Sequence, residues 1–441
     1  MKVAIDEILI RSSILHPSRV AKRQMFGKLT SAIGLTAGPL PPDHHAPARS
    51  KSHAALAHLL SAAHVPVSDT DCAACNLPCP SSPSSSSSSG EGAGVVVEAY
   101  GGKEYEEYVG ERYGEIEGLP KGFDTDWESD LFGSSKGGKG RIAVISTGKS
   151  DWEKDHTDEK GSLAQYLSKV IDSAPAIKAP KGPDPSLPYI TPSAFPPPSK
   201  PFSDPIAPPP SLYSSSLISQ SDDPSDQSVL VFPDWKVVHE VEQSKAGAQE
   251  LFDKVLNGEL GRAGKSGTDD SGVGRKRSYV LPYRAVVLLC SHKKRDKRCH
   301  IAAPLLRSAL HTCLQTHDIA VDDTGSSLIN LDGPPLEEVE GGEEERELEV
   351  GRRIGEIEAV HGGEGGEVGI FNINHLGGHR YAGVMLIVFP SGAYISYGRV
   401  TPQEIPRVVE DTILQGKIVP GLLRNAVGVE RDGKGAGGFL S

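Results

Sequence analysis

The sequence predicts an α/β protein: a smaller α/β region, a larger α/β domain towards the C-terminus, and long disordered linkers around them. Three observations lead there. Short apolar runs bounded by glycine or proline alternate with segments whose apolar residues recur at helical spacing. The apolar share is 37%, with 49 glycines and 34 prolines in 441 residues. That lies below the roughly 45–50% of an ordinary globular chain, so part of the length is linker. Two tracts, SSPSSSSSSG at 81–90 and the proline-dense stretch after 173, cannot build a core.

Residues 1–70 read as an N-terminal segment, either targeting or flexible, with weak helical periodicity around AALAHLLSAA. Lys2, Arg11, Arg19, Lys22, Arg23 and Lys28 against Asp6 and Glu7 suit a mitochondrial presequence or a solvated start, with Met25 as an alternative initiator. Residues 71–173 read as an N-terminal α/β region with a cysteine cluster (Cys72, Cys75, Cys79) and the serine-rich insert. Within it GRIAVIST is a buried strand and SLAQYLSKVI a helix. Residues 174–227 read as a Pro/Ser-rich linker that favours extended polyproline II.

Residues 228–425 read as the larger domain. SVLVFPDW is a strand, and SKAGAQELFDKVLNG a helix closed by glycine. GRAGKSGTDDSGVGRKR is a loop whose GKS triplet lacks the first glycine and the strand of a phosphate-binding loop. SYVLPYRAVVLLC is one strand running into Cys290. HIAAPLLRSALHTCLQTH is a helix with Ile301, Leu305, Leu306, Leu310 and Leu314 on one face. GEEERELEVG lies in an acidic loop. EVGIFNIN is a strand ending at His375, YAGVMLIVFP and GAYISYGRV form a hairpin, and TPQEIPRVVEDTIL opens a helix with Thr401 as N-cap. Strand–helix–strand, then hairpin, then helix is the order of a thioredoxin-like layer. Residues 426–441 read as a flexible tail.

The totals exclude some functions. A net charge of −12 argues against a general nucleic-acid binder. No run of about eighteen apolar residues occurs, so no membrane partner is read. Six cysteines in a chain without a secretory core argue against a disulfide framework and for metal or redox chemistry in a reducing compartment, the cytoplasm or alternatively the mitochondrial matrix.

Two pairs carry the chemistry. Cys290 ends a strand and Cys299 precedes a helix, with CSHKKRDKRCH spanning the turn between them. The gap is too long for a Cys-x-x-Cys dithiol and unlike a zinc knuckle. It suits two ligands that reach one object from either end of a loop. His375 and His379 flank LGG, where Gly377 and Gly378 permit a tight turn. Read singly, each cysteine is a small buried apolar residue and each histidine a surface or satisfied core residue. Together they make a first shell for tetrahedral Zn2+ or a mixed-ligand [2Fe-2S] cluster. Lys293, Lys294, Arg295, Lys297 and Arg298 would favour thiolate over thiol and steer an acidic redox partner protein, or form only a solvated loop. His292 and His300 are candidate substitutes for one of the histidines, Cys313 is packed in a helix, and CAACNLPC is a second candidate metal or redox site.

The stretches DWESDLFGS, IAVISTGKSDWEKD, CSHKKRDKRCHIAAPLL and NHLGGHRYAGVMLIVFPSGAYISYGRVTPQEIPRVVEDTILQGKI resemble the sucrase/ferredoxin-like family, whose fungal members include the actin patches distal and altered-inheritance-of-mitochondria proteins. The resemblance covers most of the chain outside the linkers. It implies a C-terminal thioredoxin-like [2Fe-2S] ferredoxin with Cys290, Cys299, His375 and His379 as the cluster ligands. Ferredoxins of that fold carry Cys-x3-Cys where this chain has His-x3-His. The implied role is electron transfer in redox homeostasis, by a carrier more than an enzyme. The alternatives are a zinc-binding interaction module on the same ligands and a thiol oxidoreductase using Cys72, Cys75 and Cys79. No paired carboxylates for glycoside hydrolysis are evident.

Overall fold

The computed structural model describes residues 47–68, 110–114, 125–126, 129–135, 140–174, 209–258, 260–265, 276–429 and 438–440. Cys72, Cys75 and Cys79, the serine tract, the loop at 266–275 and most of the N-terminal segment lie outside these residues. Among the described residues the strands form one eleven-stranded sheet, and no helix is long and apolar enough to cross a membrane.

The first half of the sheet starts with β1, Ile142–Ser146, buried along its whole length. Helix α2, Leu163–Ser173, follows; Ser162 caps it by accepting the Gln165 N–H, and Leu163, Ala164, Leu167 and Val170 face inward. (The chain's α1, Pro47–Ala62, precedes this unit.) Then come β2, Ser211–Ser215, β3, Gln227–Phe232, and β4, Lys236–Val241. Strand β2 runs parallel to β1, β3 antiparallel to β1, and β4 antiparallel to β3. Helix α3, Lys245–Leu251, is capped by Ser244 and continues as a π-helical segment, Phe252–Leu256. It packs with α2 on one face of β1, β3 and β4.

The second half repeats that plan. After the edge strand β5, Arg277–Val280, come β6, Ala285–Cys290, and α4, Lys297–Gln315. The short β7, Ala320–Asp322, and the helix α5, Glu343–Gly355, lead to β8, Glu367–Ile373. The hairpin β9, Met385–Val388, and β10, Tyr394–Tyr397, follows, then α6, Ile405–Arg407, and β11, Leu423–Val427. Strands β6 and β8 are parallel, β9 is antiparallel to β6, and β10 to β9. Thus the order β2-β1-β3-β4 in one half is matched by β8-β6-β9-β10 in the other. The halves meet edge to edge through β2 and β8, antiparallel at Ser215 and Ile373, as a two-fold rotation requires.

AVVLLC is apolar throughout because both of its faces are covered. Val287 and Leu289 face α4 and the π-helical segment Val408–Leu414, while Val286 and Leu288 join a core shared with β1, β3 and α5. Each fully buried leucine of this kind contributes about 1.5–3 kcal/mol relative to exposure.

Several expectations are corrected. Strand β2 and the turn after it fall inside the stretch expected as linker; its serines pair with β1 and β8, a tertiary interaction that local composition does not report. SYVLPYRAVVLLC is two strands, broken at Leu281–Arg284. GEEERELEVG is helical, not a loop. Glu345 reaches back to the Gly342 N–H (2.9 Å), and Glu349 pairs with Arg353 one turn on (2.7 Å). The inward face of α4 is Cys299, Ala302, Ala303, Leu306, Ala309, Leu310, Cys313 and Leu314, so Ile301 and Leu305 sit at its margin. Thr401 makes no side-chain cap. The tail is not wholly loose: β11 crosses position 426, and Phe439 is buried against Phe389.

Candidate metal centre

The site forms where β6 and β8 end side by side. The Cys290 N–H donates to the Val384 carbonyl (3.0 Å) and the Ser291 N–H to the Ile373 carbonyl (3.1 Å), so the basic loop leaves the sheet beside the end of β8. Asp296 then caps α4 by accepting the Arg298 N–H at 2.9 Å, which places Cys299 in the first helical turn. On the other side, the chain leaves β8 at Ile373 and turns at Gly377 and Gly378, with φ of 74° and 66°. A side chain at either position would incur the left-handed penalty of about 1–2 kcal/mol. His379 opens the short turn that follows.

These two turns bring all four expected residues together. Cys290 and Cys299 are buried, and with Val384 they form a small apolar cluster against which Leu376 packs. Their thiols lie within hydrogen-bonding reach of each other, and His375 within reach of Cys290. The Cys299 hydrogen bond holds Cys290 well below the usual thiol range against the opposing effect of burial; His375 and the Leu376 N–H act in the same direction as Cys299. Cys299, as donor to Cys290 and buried, is pushed well above that range. The rings of His375 and His379 are 5.1 Å apart, inclined at 46°. Nδ1 of each is buried without a hydrogen-bond partner. Burial holds His379 below the usual imidazole range, opposed by the charge of Asp296. All of the described cysteines are free thiols. Among the described residues no group of three or more His, Cys, Asp or Glu side chains is arranged to hold a metal ion.

The basic loop is held by the loop after β1 in the other half. Asp151 accepts from the backbone N–H groups of Lys293 (3.0 Å) and Lys294 (3.3 Å), and Lys294 pairs with Glu153 at 2.7 Å. Arg295 donates to the Lys154 carbonyl at 3.4 Å and Arg298 pairs with Asp296 at 2.9 Å. The expectation that the loop's cations depress both thiols is therefore narrowed. The strongest influences on Cys290 are Cys299 and burial, then His375 and Leu376, and of the loop cations only Arg298 figures, weakly, at Cys299.

His292 is buried, with Nε2 3.0 Å from the Trp152 carbonyl, so it braces the two loops. His300 is half-buried on α4. Cys313 is packed in the core, its thiol pushed up to about 12 by burial. Sequence reasoning passed over Asp151 as a brace and missed Arg424 on β11, whose guanidinium lies against Gly378. The available signal was an arginine inside an apolar run, GLLRNAVGV, since charged residues are rarely buried without a partner.

Comparison with known proteins agrees with the motifs. The chain is 30% identical over 141 residues to actin patches distal protein 1 of Saccharomyces cerevisiae, covering 32% of this chain and 33% of that protein. It is 30% identical over 145 residues to altered inheritance of mitochondria protein 32 of Debaryomyces hansenii, covering 32% and 36%, and 25% identical over 142 residues to the protein of that name from Clavispora lusitaniae, covering 32% and 35%. The matches thus span about a third of the length of these relatives. No solved structure matches the chain. The model of the sucrase/ferredoxin-like family matches residues 131–425, both halves of the sheet and all four paired residues, and the chain belongs to that family.

Proposed function

We propose that this protein is an electron carrier that holds a [2Fe-2S] cluster through Cys290, Cys299, His375 and His379. The observation that carries this reading is their layout: two apposed buried thiols and two neighbouring imidazoles with buried, unpartnered nitrogens. Two cysteines and two histidines are the donor set of a mixed-ligand [2Fe-2S] cluster and would also suit a tetrahedral zinc; the likeness to the sucrase/ferredoxin-like family favours the cluster. The strand order β8-β6-β9-β10, parallel then antiparallel, supports a thioredoxin-like arrangement for this half.

When bound, such a cluster takes up and returns single electrons, at a higher potential than a four-cysteine cluster because two neutral imidazoles replace two thiolates. The chain's own residues supply the surroundings. Leu376 and Val384 keep water from the sulfur side. The half-buried His375 and His379 form the side nearest solvent, where an electron would enter or leave. Exposed Lys293 and Lys297, in the segment between the two cysteines, favour an acidic redox partner. The free thiols among the described cysteines support the reading of a reducing compartment, the cytoplasm or alternatively the mitochondrial matrix.

Anaerobic purification tests this. The expected product is red-brown, contains iron and sulfide, and shows a paramagnetic signal on reduction. His379→Cys should keep a cluster at lower potential, and Cys299→Ser should lose it. A colourless protein containing zinc would replace this reading with the zinc-binding module. Loss of redox activity on changing Cys72, Cys75 and Cys79, but not His375 or His379, would replace it with the thiol oxidoreductase.

A further inference from the structure

Arg424 is 1% exposed. Its Nε donates to Ser134 Oγ (3.2 Å) and its Nη1 to Ser396 Oγ (3.3 Å), both neutral hydroxyls. Its Nη2 is buried with no hydrogen-bond partner. A Cβ built on Gly378 would stand 2.4 Å from Nη2 and 2.7 Å from Cζ, and one on Gly377 3.9 Å from Nη2. The guanidinium therefore lies directly against the turn that carries His375 and His379. Burial is the largest influence on it; the groups that offset burial are the phenols of Tyr394 and Tyr381 and the thiols of Cys290 and Cys299. No carboxylate is among them.

Arginine cannot shed its proton, and a buried charge without a counter-ion is strongly unfavourable. The phenol of Tyr394 is pushed far up by burial and stays neutral. Of these described groups the cysteine thiols are the most acidic, so the paired-cysteine site is the readiest source of the balancing negative charge.

We propose that Arg424 is the counter-cation of the Cys290–Cys299–His375–His379 site and raises its reduction potential by stabilising the form that carries the extra electron. The proposal rests on the cluster reading above. One electron from an external one-electron donor adds one negative charge at the site; no bond forms or breaks, and no proton is needed for balance. The cation across the glycine turn gains attraction with that step, in a setting where water screens little. Arg424 is thus a tuning residue rather than a ligand.

The test is a potentiometric titration of the full chain, purified anaerobically and followed by visible absorption, for wild type, Arg424→Gln, Arg424→Lys and Ser396→Asp. Arg424→Gln should shift the potential to more negative values, and Arg424→Lys should keep most of the wild-type value. Ser396→Asp sets a carboxylate beside Nη1, so it should shift the potential as Arg424→Gln does although the arginine remains. Unchanged potentials in Arg424→Gln and Ser396→Asp would overturn the proposal. Should Arg424→Gln fail to fold, Ser396→Asp decides alone, by a negative shift or by none. A wild-type protein without iron would instead remove the cluster reading before any variant is compared.

Discussion

At the scale of single residues, the turn between His375 and His379 controls the site. Gly377 and Gly378 share the left-handed conformation but not their surroundings, since only Gly378 has the guanidinium of Arg424 within 3 Å of a built Cβ. Gly377→Ala should therefore lose about 1–2 kcal/mol in chemical denaturation. Gly378→Ala should lose more and, under the proposed cluster function, also retain less iron, because either the arginine or the histidine turn has to move. Equal losses in the two variants would refute the close approach. The two imidazoles make a further expectation. If the ring nitrogen left free on each takes up a proton on reduction, the potential falls as pH rises from about 6 to 10. A flat profile over that range would remove proton coupling from the scheme.

At the scale of elements, β4 carries a pH-sensitive residue away from the site. His239 is buried, its Nδ1 2.8 Å from Ser228 Oγ, and burial lowers its pKa from the ordinary 6.5 to about 4, against the Leu328 carbonyl and Asp222. Above pH 6.5 it is neutral in both folded and unfolded chains and has no effect on stability. As pH falls through 6.5 the unfolded chain binds a proton that the folded chain refuses until about 4. Stability is thus lost across that window, by at most about 3 kcal/mol. His239→Gln should flatten the fall in the denaturation midpoint between those pH values. The elements also separate what local pattern reports from what it does not. The strand at 142–146 and the helices at 163–173 and 297–315 were legible, because apolar period and caps are local. Helix α5 was misread because an acid-rich run resembles a solvated loop until Glu349 is seen between Arg352 and Arg353, at 2.8 and 2.7 Å.

At the scale of the molecule, two halves of like topology share one sheet, and the half without the paired cysteines braces the loop of the half that has them. Asp151→Ala removes the acceptor of two backbone N–H groups, so the Lys293 and Lys294 amides should exchange faster. The loss of stability should be about 1–2 kcal/mol, with lower iron retention and an intact sheet. The joint itself is short: Ser215 opposite Ile373, flanked by the Ser214 N–H donating to Asn374 Oδ1 at 3.1 Å. A shared core behind it, from Val144 and Leu230 to Leu288 and Leu386, makes the halves unfold together. Denaturation followed by the fluorescence of Trp152 and Trp235 in the first half should coincide with loss of the visible absorption that the proposed cluster would give in the second. Separate midpoints would show that the halves are independent.

The sequence by itself determined the α/β class, the motif-bearing turns and the four residues in them, since each depends on neighbours within one strand–loop–helix or one glycine turn. The tertiary structure alone decided that a serine-rich strand from the expected linker joins two halves, that the acidic loop of one half holds the basic loop of the other, and that Arg424 stands behind the histidine turn. Those contacts join residues tens to hundreds of positions apart. Their energies come from burial and pairing created only when distant segments meet, which no local spacing encodes.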